Sequence, residues 1–312
     1  MAEGQVPGIR LMYCRILALA AVLAAPAGGT FADNGEGEAA DAPRFPTTEF
    51  ADGVKGATVT VGDLTASISM VRRKDIDPDL DAPLLAVTVA GQRVLEVAGV
   101  PSGLDPPATE ASIAEIDPTN QAEEVYFASF SGGAHCCTEV IVAEQVGDKW
   151  VSVPIGKFDG DGNYLDDLDD DGKAEIVTVD NRFLYKFDCY ACSAAPLTIT
   201  AVSGGKAVDV SAEPRFQKAH REWLAELVEG VDPAKRWKSP GFLAGWVAAK
   251  ARVGEGADAF RALVEHWDAK GDRGEDVCVS GGELEDCQKK NIAHLRFPER
   301  LKLFLDQTGY HF

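Results

Sequence analysis

From residue 58 to residue 210 the chain runs in short apolar stretches, many alternating with polar residues, cut by Gly, Pro, Asn and Asp. Period-two alternation sends side chains to the two faces of a strand, and the breakers mark turns. The pattern predicts strands at Thr58–Val61, Thr65–Val71, Leu84–Val89, Arg93–Val97, Ala111–Glu115, Glu124–Phe130, Thr138–Glu144, Trp150–Pro154, Glu175–Val179, Phe183–Phe187, Leu197–Val202 and Ala207–Val210. Short strands joined by short turns indicate an antiparallel all-β arrangement.

After Val210 the period changes to that of helices. Pro214 opens one with Phe216, Trp223, Leu224, Leu227 and Val228 on one face, and Ser239-Pro240 opens a second with Phe242, Leu243, Trp246, Val247 and Ala249. A third carries Phe260, Leu263, Val264 and Trp267, and Pro298 opens a last one with Leu301, Phe304 and Leu305. Aromatic stripes at this spacing are core material rather than cofactor contacts. The fold class expected is mainly β, short antiparallel strands in a propeller-like or sandwich arrangement, followed by an α-helical C-terminal domain. The organisation expected is a signal peptide over 1–32, a flexible linker over 33–48, a β domain over 49–212 and a helical domain over 213–312.

The leader reading rests on Arg10 and Arg15 before an apolar run, Ile16 to Ala25, that is too short for a comfortable membrane span, with small residues up to Ala32. It implies a periplasmic or secreted protein with no integral membrane segment after cleavage. Cys14 leaves with the leader, and six cysteines remain: Cys136, Cys137, Cys189, Cys192, Cys278 and Cys287. An even set in an exported chain points to disulfides. Cys278 and Cys287 bracket one polar loop and are expected to pair. Pairing among the other four is open: a bond between the neighbours Cys136 and Cys137 requires strain, and cross-pairing with Cys189 and Cys192 is an alternative. The formal net charge of −20 disfavours nucleic acid and anionic membranes as partners.

One stretch carries distinctive chemistry. Asp167, Asp169 and Asp171 alternate, Gly172 permits a sharp turn, Glu175 stands at the ninth position, and Ile176 to Val179 follows at once. Carboxylates about 5 Å apart repel by roughly 3 kcal/mol per pair at an effective dielectric near 20, so such a loop either stays open in water or gathers a hard cation. Oxygen donors and a glycine turn suit calcium. The twelfth position is Thr178, inside a β-branched run, where an EF-hand needs a bidentate Glu on a helix. The loop therefore precedes a strand.

A weaker copy lies upstream. Ile113 to Asp117 leads to Glu123 and Glu124 and then Val125 to Phe127, as Leu165 to Asp169 leads to Glu175 and Ile176 to Thr178. Pro118, Thr119 and Asn120 replace acids in the first copy, so its cation site is expected to be degenerate. Two such units and the strands before Gly99 would make about three blade-like sheets, fewer than a closed propeller uses.

The run DLDDDGKAEIVTV over 167–179, with GKFDGDGN over 156–163, resembles an FG-GAP or VCBS-type repeat, the calcium-loop blade of integrin-like β-propellers. The resemblance covers about thirty residues. It implies a structural calcium held by Asp167, Asp169, Asp171 and Glu175, with the Lys173 carbonyl as a further ligand, and no catalysis. The SGGAHCC loop over 131–137 resembles loops of exported proteins with this blade type, which supports the architecture and gives no activity. The C-terminal hundred residues suggest no family.

Other candidates carry less. Cys136 or Cys137 as a nucleophile with His135 as base lacks a partner from a separate segment. Cys189-Tyr-Ala-Cys192 lacks the helix N-terminus that activates a redox pair. His220, His266, His294 and His311 show no metal-ligand spacing. The function expected is an exported, calcium-stabilised binding or structural protein of the cell envelope, meeting a protein or glycan partner. The alternative is an envelope hydrolase using a carboxylate pair such as Asp159 and Asp161. No catalytic residue is assigned.

Overall fold

The computed structural model describes residues 43–50, 56–72, 74–75, 77–120, 122–134, 136–160 and 164–312. The leader, most of the expected linker, His135 and Asp161 lie outside the described residues. In chain order the strands are β1 (Thr47–Glu49), β2 (Gly56–Val61), β3 (Leu64–Arg72), β4 (Asp81–Val89), β5 (Gln92–Ala98), β6 (Thr109–Ala114), β7 (Glu124–Phe130), β8 (Cys136–Val146), β9 (Lys149–Asp159), β10 (Leu165–Asp166), β11 (Glu175–Val179), β12 (Leu197–Ser203) and β13 (Lys206–Asp209). The helices α1 (Gln217–Glu229), α2 (Pro240–Arg252) and α3 (Gly256–His266) follow, then a hairpin of β14 (Glu275–Cys278) and β15 (Ile292–Leu295), and finally α4 (Phe297–Thr308). The protein is thus mainly antiparallel β, with its helices C-terminal.

Three meanders make up the strand-rich part: β2-β3-β4-β5, then β1-β6-β7-β8-β9, then β10-β11-β12-β13. Every pairing in them is antiparallel between strands consecutive in sequence, except that β1 joins β6 at the edge of the middle sheet. None of these sheets closes into a barrel.

The middle sheet is the central layer. Val125 and Phe127 of β7 pack against Ile68, Leu85 and Val87 of the first sheet. Their neighbours Tyr126 and Ala128 point the other way, against Ile176 and Val202 of the third. Strict alternation with both faces apolar makes β7 a strand buried on both sides, which is why EVYFAS reads as a continuous apolar run.

The helical part lies in the same compact unit, Phe45–Phe312. Trp223 of α1 donates its indole N–H to the Ala195 carbonyl at 2.9 Å. Gly241 and Gly245, one turn apart on α2, meet the backbone of Cys192 and Ala194, where an added Cβ would stand 2.5 and 2.2 Å from the nearest atom. The expected strand at Phe183–Phe187 is not formed. Asn181–Phe183 is a 3₁₀ turn capped by Asp180, which accepts the Arg182 N–H. Phe183 packs edge-on against Phe304 and Tyr310, and Phe187 against Phe297 and Phe304. The alternating aromatics serve helix packing, which outweighs their strand propensity. No helix of the described residues is long and apolar enough to cross a membrane.

Candidate functional site: an acidic loop and its arginine

The loop between β10 and β11 begins from a buried hairpin, Leu165 paired with Ile176 and Asp166 with Glu175. Gly172 at φ +88° and Asp170 at φ +59° turn the chain back on itself. Three acids converge there: Asp167, Asp169 and Glu175 each place a carboxylate oxygen within 4.8 Å of the others. Asp167 accepts the backbone N–H groups of Asp171 and Gly172, both at 3.1 Å, and Glu175 accepts that of Leu168 at 3.0 Å.

Glu175 is the most enclosed of the three, its side chain 2% exposed. Burial pushes its carboxyl up to about 7, with the negative charges of Asp169 and Asp171 acting in the same direction, against the Leu168 N–H and Arg215. One oxygen of Asp169, Oδ1, is buried with no hydrogen-bond partner. Asp171 stands outside the convergent group, 40% exposed, with Oδ1 taken by the Lys173 N–H at 2.8 Å. Lys173 sends its ammonium away from the loop, to Glu115 and to the Asn120 carbonyl, tying together the loops of the two repeat units.

A cation of the protein itself reaches this site. Arg215, in the 3₁₀ turn Pro214–Phe216 that precedes α1, brings Nη1 to 3.0 Å from Asp169, 3.2 Å from Glu175 and 3.5 Å from Asp171. Its Nε donates to Glu213 at 2.7 Å, and the guanidinium lies over the Phe216 ring, 4.3 Å from the centroid. It stands 46 residues from Asp169, and nothing in its own surroundings in the sequence marks it.

The upstream copy has the same skeleton. Glu124 accepts the N–H groups of Ile116 at 2.6 Å and Asp117 at 3.1 Å, and burial raises its carboxyl to about 7. Asp117 is answered by the Thr119 N–H and hydroxyl and by the Asn120 amide, at 2.7–2.8 Å. These neutral groups stand where the second copy carries Asp169 and Asp171.

Cys189 pairs with Cys192 and Cys278 with Cys287, while Cys136 and Cys137 lie side by side at the start of β8. The alternative of cross-pairing between units is not what the chain does. One turn of 3₁₀ helix at Tyr190–Cys192 brings the α-carbons of Cys189 and Cys192 to 5.0 Å, inside the range a disulfide needs. Those of Cys278 and Cys287 are 5.7 Å apart. Of the histidines, His220 is buried against the Ser211 carbonyl at 2.7 Å, and His294 sits between Asp276 and the Arg273 carbonyl, both at 2.8 Å.

Fold and site together define a protein of stacked antiparallel meanders, carrying a C-terminal helical part and an acidic loop at their junction. The chain belongs to the family of the "Probable thylakoid lumen protein sll0997" of Synechocystis sp., to which it is 36% identical over 256 residues, 81% of this chain and 75% of that protein. Residues 220–309 match the family model described as the sll0997 C-terminal domain, so the segment whose sequence suggested no family has one, and it spans α1 to α4 almost entirely. A second relative, "Uncharacterized protein y4bJ" of Sinorhizobium fredii, is 32% identical over 203 residues, 64% of this chain but 32% of that longer protein. No solved structure matches the chain.

Proposed function

We propose that this is an exported binding or structural protein whose strand-rich part is stabilised by a hard divalent cation, calcium, at Asp167, Asp169 and Glu175. The observation that carries the reading is the convergence of three carboxylates on one point with an oxygen of Asp169 left unpartnered. An all-oxygen donor set at a glycine turn is calcium chemistry rather than that of zinc or copper. Backbone N–H groups already hold both oxygens of Asp167 and Oε2 of Glu175, which orients the lone pairs that are left. The resemblance of the loop to FG-GAP repeats favours the same ion. Export is supported by the leader-like N-terminus, the locally paired cysteines and the lumenal compartment named for the Synechocystis relative. The partner is a protein or glycan.

Arg215 favours a second reading of the same site. Its guanidinium lies among the acids a metal would use, so the loop is also neutralised from within. On the first reading calcium displaces Arg215 outward, toward Glu213; on the second Arg215 is the permanent counter-ion. Equilibrium dialysis of the mature protein against radioactive calcium separates them. The first reading expects one ion per chain in the range of extracellular calcium modules, about 10⁻⁴–10⁻³ M. Absence of stoichiometric binding at about 5 mM, well above that range, leaves the second.

A further inference from the structure

At the far side of the third sheet a cleft of about 310 Å³ opens between β9, the end of β11 and the C-terminal turn of α2. Its lining includes Lys157, Asp180, Arg182, Thr198, Asp209 and Arg252. Two arginines of this lining are linked to one tyrosine, Tyr310. Arg252 stacks on the Tyr310 ring, 5.0 Å from the centroid, and points Nη2 at the hydroxyl at 3.4 Å. Arg182 is tied to the same hydroxyl through Asp180. Tyr310 is buried and donates to Asp180 at 2.9 Å, so its oxygen faces Arg252 on one side and gives its proton away on the other.

The charge balance at this point is uneven. Asp180 is claimed by Arg182, through Nε at 2.8 Å and Nη2 at 2.5 Å, and by Tyr310. Asp209 is engaged by the Ser211 N–H at 2.9 Å and by the Ser211 hydroxyl at 2.5 Å. Among the described residues no carboxylate forms an ion pair with Arg252, and its Nε is buried without a partner. Lys157, 3.6 Å from Glu139 and mostly exposed, adds a third cation to the wall. In a chain of formal net charge −20, the cleft sets Lys157, Arg182 and Arg252 beside Asp180 and Asp209, and Arg252 is the cation of that set with no ion-pair partner of its own among the described residues. The guanidinium of Arg252 matches the oxygens of a carboxylate or phosphate, and Arg182, 54% exposed, offers Nη1 beside the fork that Asp180 occupies.

We propose that this cleft binds the carboxylate or phosphate group of a small anionic molecule at Arg252 and Arg182, with Thr198 in the same lining. The site is separate from the acidic loop, and its test does not depend on calcium. Isothermal titration of the full chain with inorganic phosphate and, separately, with succinate distinguishes the two sources of the oxyanion. Saturable binding of either at near-physiological salt is the expected result, with Arg252→Gln weakening it about tenfold, the scale of one lost charged hydrogen bond. Because Arg252 also packs on Tyr310, a second measurement uses the unaltered chain: phenylglyoxal labelling of Arg252 and Arg182, read by mass spectrometry, should be suppressed by the bound anion. Titration of Arg252→Gln indistinguishable from the wild type would overturn the proposal. So would the absence of both saturable heat and labelling protection with both anions.

Discussion

Glu124 and Glu175 hold equivalent places in two successive loop–strand units. Each is the first residue of its strand, and each turns Oε2 back to backbone N–H groups seven or eight residues upstream, Ile116 and Asp117 in one unit and Leu168 in the other. The two loops diverge in what surrounds that shared hydrogen bond. Thr119 and Asn120 close the first with neutral donors, whereas the second gathers Asp167, Asp169 and an arginine from the helical part. A single repeat skeleton thus carries one self-contained loop and one that collects positive charge.

Arg215→Gln removes a guanidinium from Asp169, Asp171, Glu175 and Glu213 at once. In chelator the variant should lose about 2 kcal/mol, less than a fully buried broken pair costs because Arg215 is 27% exposed. The loss should shrink when calcium is added, since the ion takes over the same carboxylates. Chemical denaturation with and without calcium measures both effects, and equal loss in the two conditions would show that the two cations do not share the site.

Stability should fall as pH rises through neutrality. Glu110 and Glu124 are both raised to about 7, by burial in each case, with Glu49, directly opposite across the β1–β6 pair, adding to the shift at Glu110. A carboxyl whose folded pKa lies above its unfolded value contributes stability in full below the unfolded value, about 4.5, and loses it as pH climbs to the folded one. Each group should cost about 2 kcal/mol between pH 5 and pH 8. Glu110→Gln and Glu124→Gln should each flatten the profile of unfolding free energy against pH, and an unchanged slope in both would contradict the burial argument.

Gly245→Ala tests how α2 docks. The added Cβ would stand 2.2 Å from the Ala194 carbonyl, and backbone cannot move aside as a flexible side chain can. The expected cost is about 3 kcal/mol, at the upper end of overpacking. Gly254→Ala would instead report on backbone conformation alone, since it stands at φ +78° with nothing within 4 Å. A thermal melt of Gly245→Ala matching the wild type would mean that the 190–196 loop does not depend on close contact with the helix.

Most of the strands were legible in the sequence because their faces are unequal or wholly apolar, as in the double-sided β7. Those that were missed lack that signal. Thr47–Glu49 has three residues and no apolar face, Leu165–Asp166 has two, and Glu275–Cys278 with Ile292–Leu295 form a hairpin around a disulfide loop. The Phe183–Phe187 run misled because its aromatics pack on α4 rather than across a sheet. The spacing of the acids and the loop–strand order were both visible in the chain. Arg215 was not, because ion pairs between residues 46 positions apart leave no periodic trace, and the contact of Arg252 with Tyr310, 58 positions away, is equally silent.

The calcium dependence of the melting temperature, compared between the wild type and Asp169→Ala, tests the cation-loop account most directly. Asp169 offers the unpartnered buried oxygen and is a member of the convergent set. At a free calcium concentration about 100-fold above the dissociation constant, binding to the folded form alone adds roughly 2.7 kcal/mol, enough for a shift of several degrees. The account predicts that the wild type melts higher in calcium than in chelator, that magnesium substitutes poorly, and that Asp169→Ala loses the response. A wild-type melting curve indifferent to calcium up to about 10 mM, at least tenfold above the range expected for such sites, would contradict it.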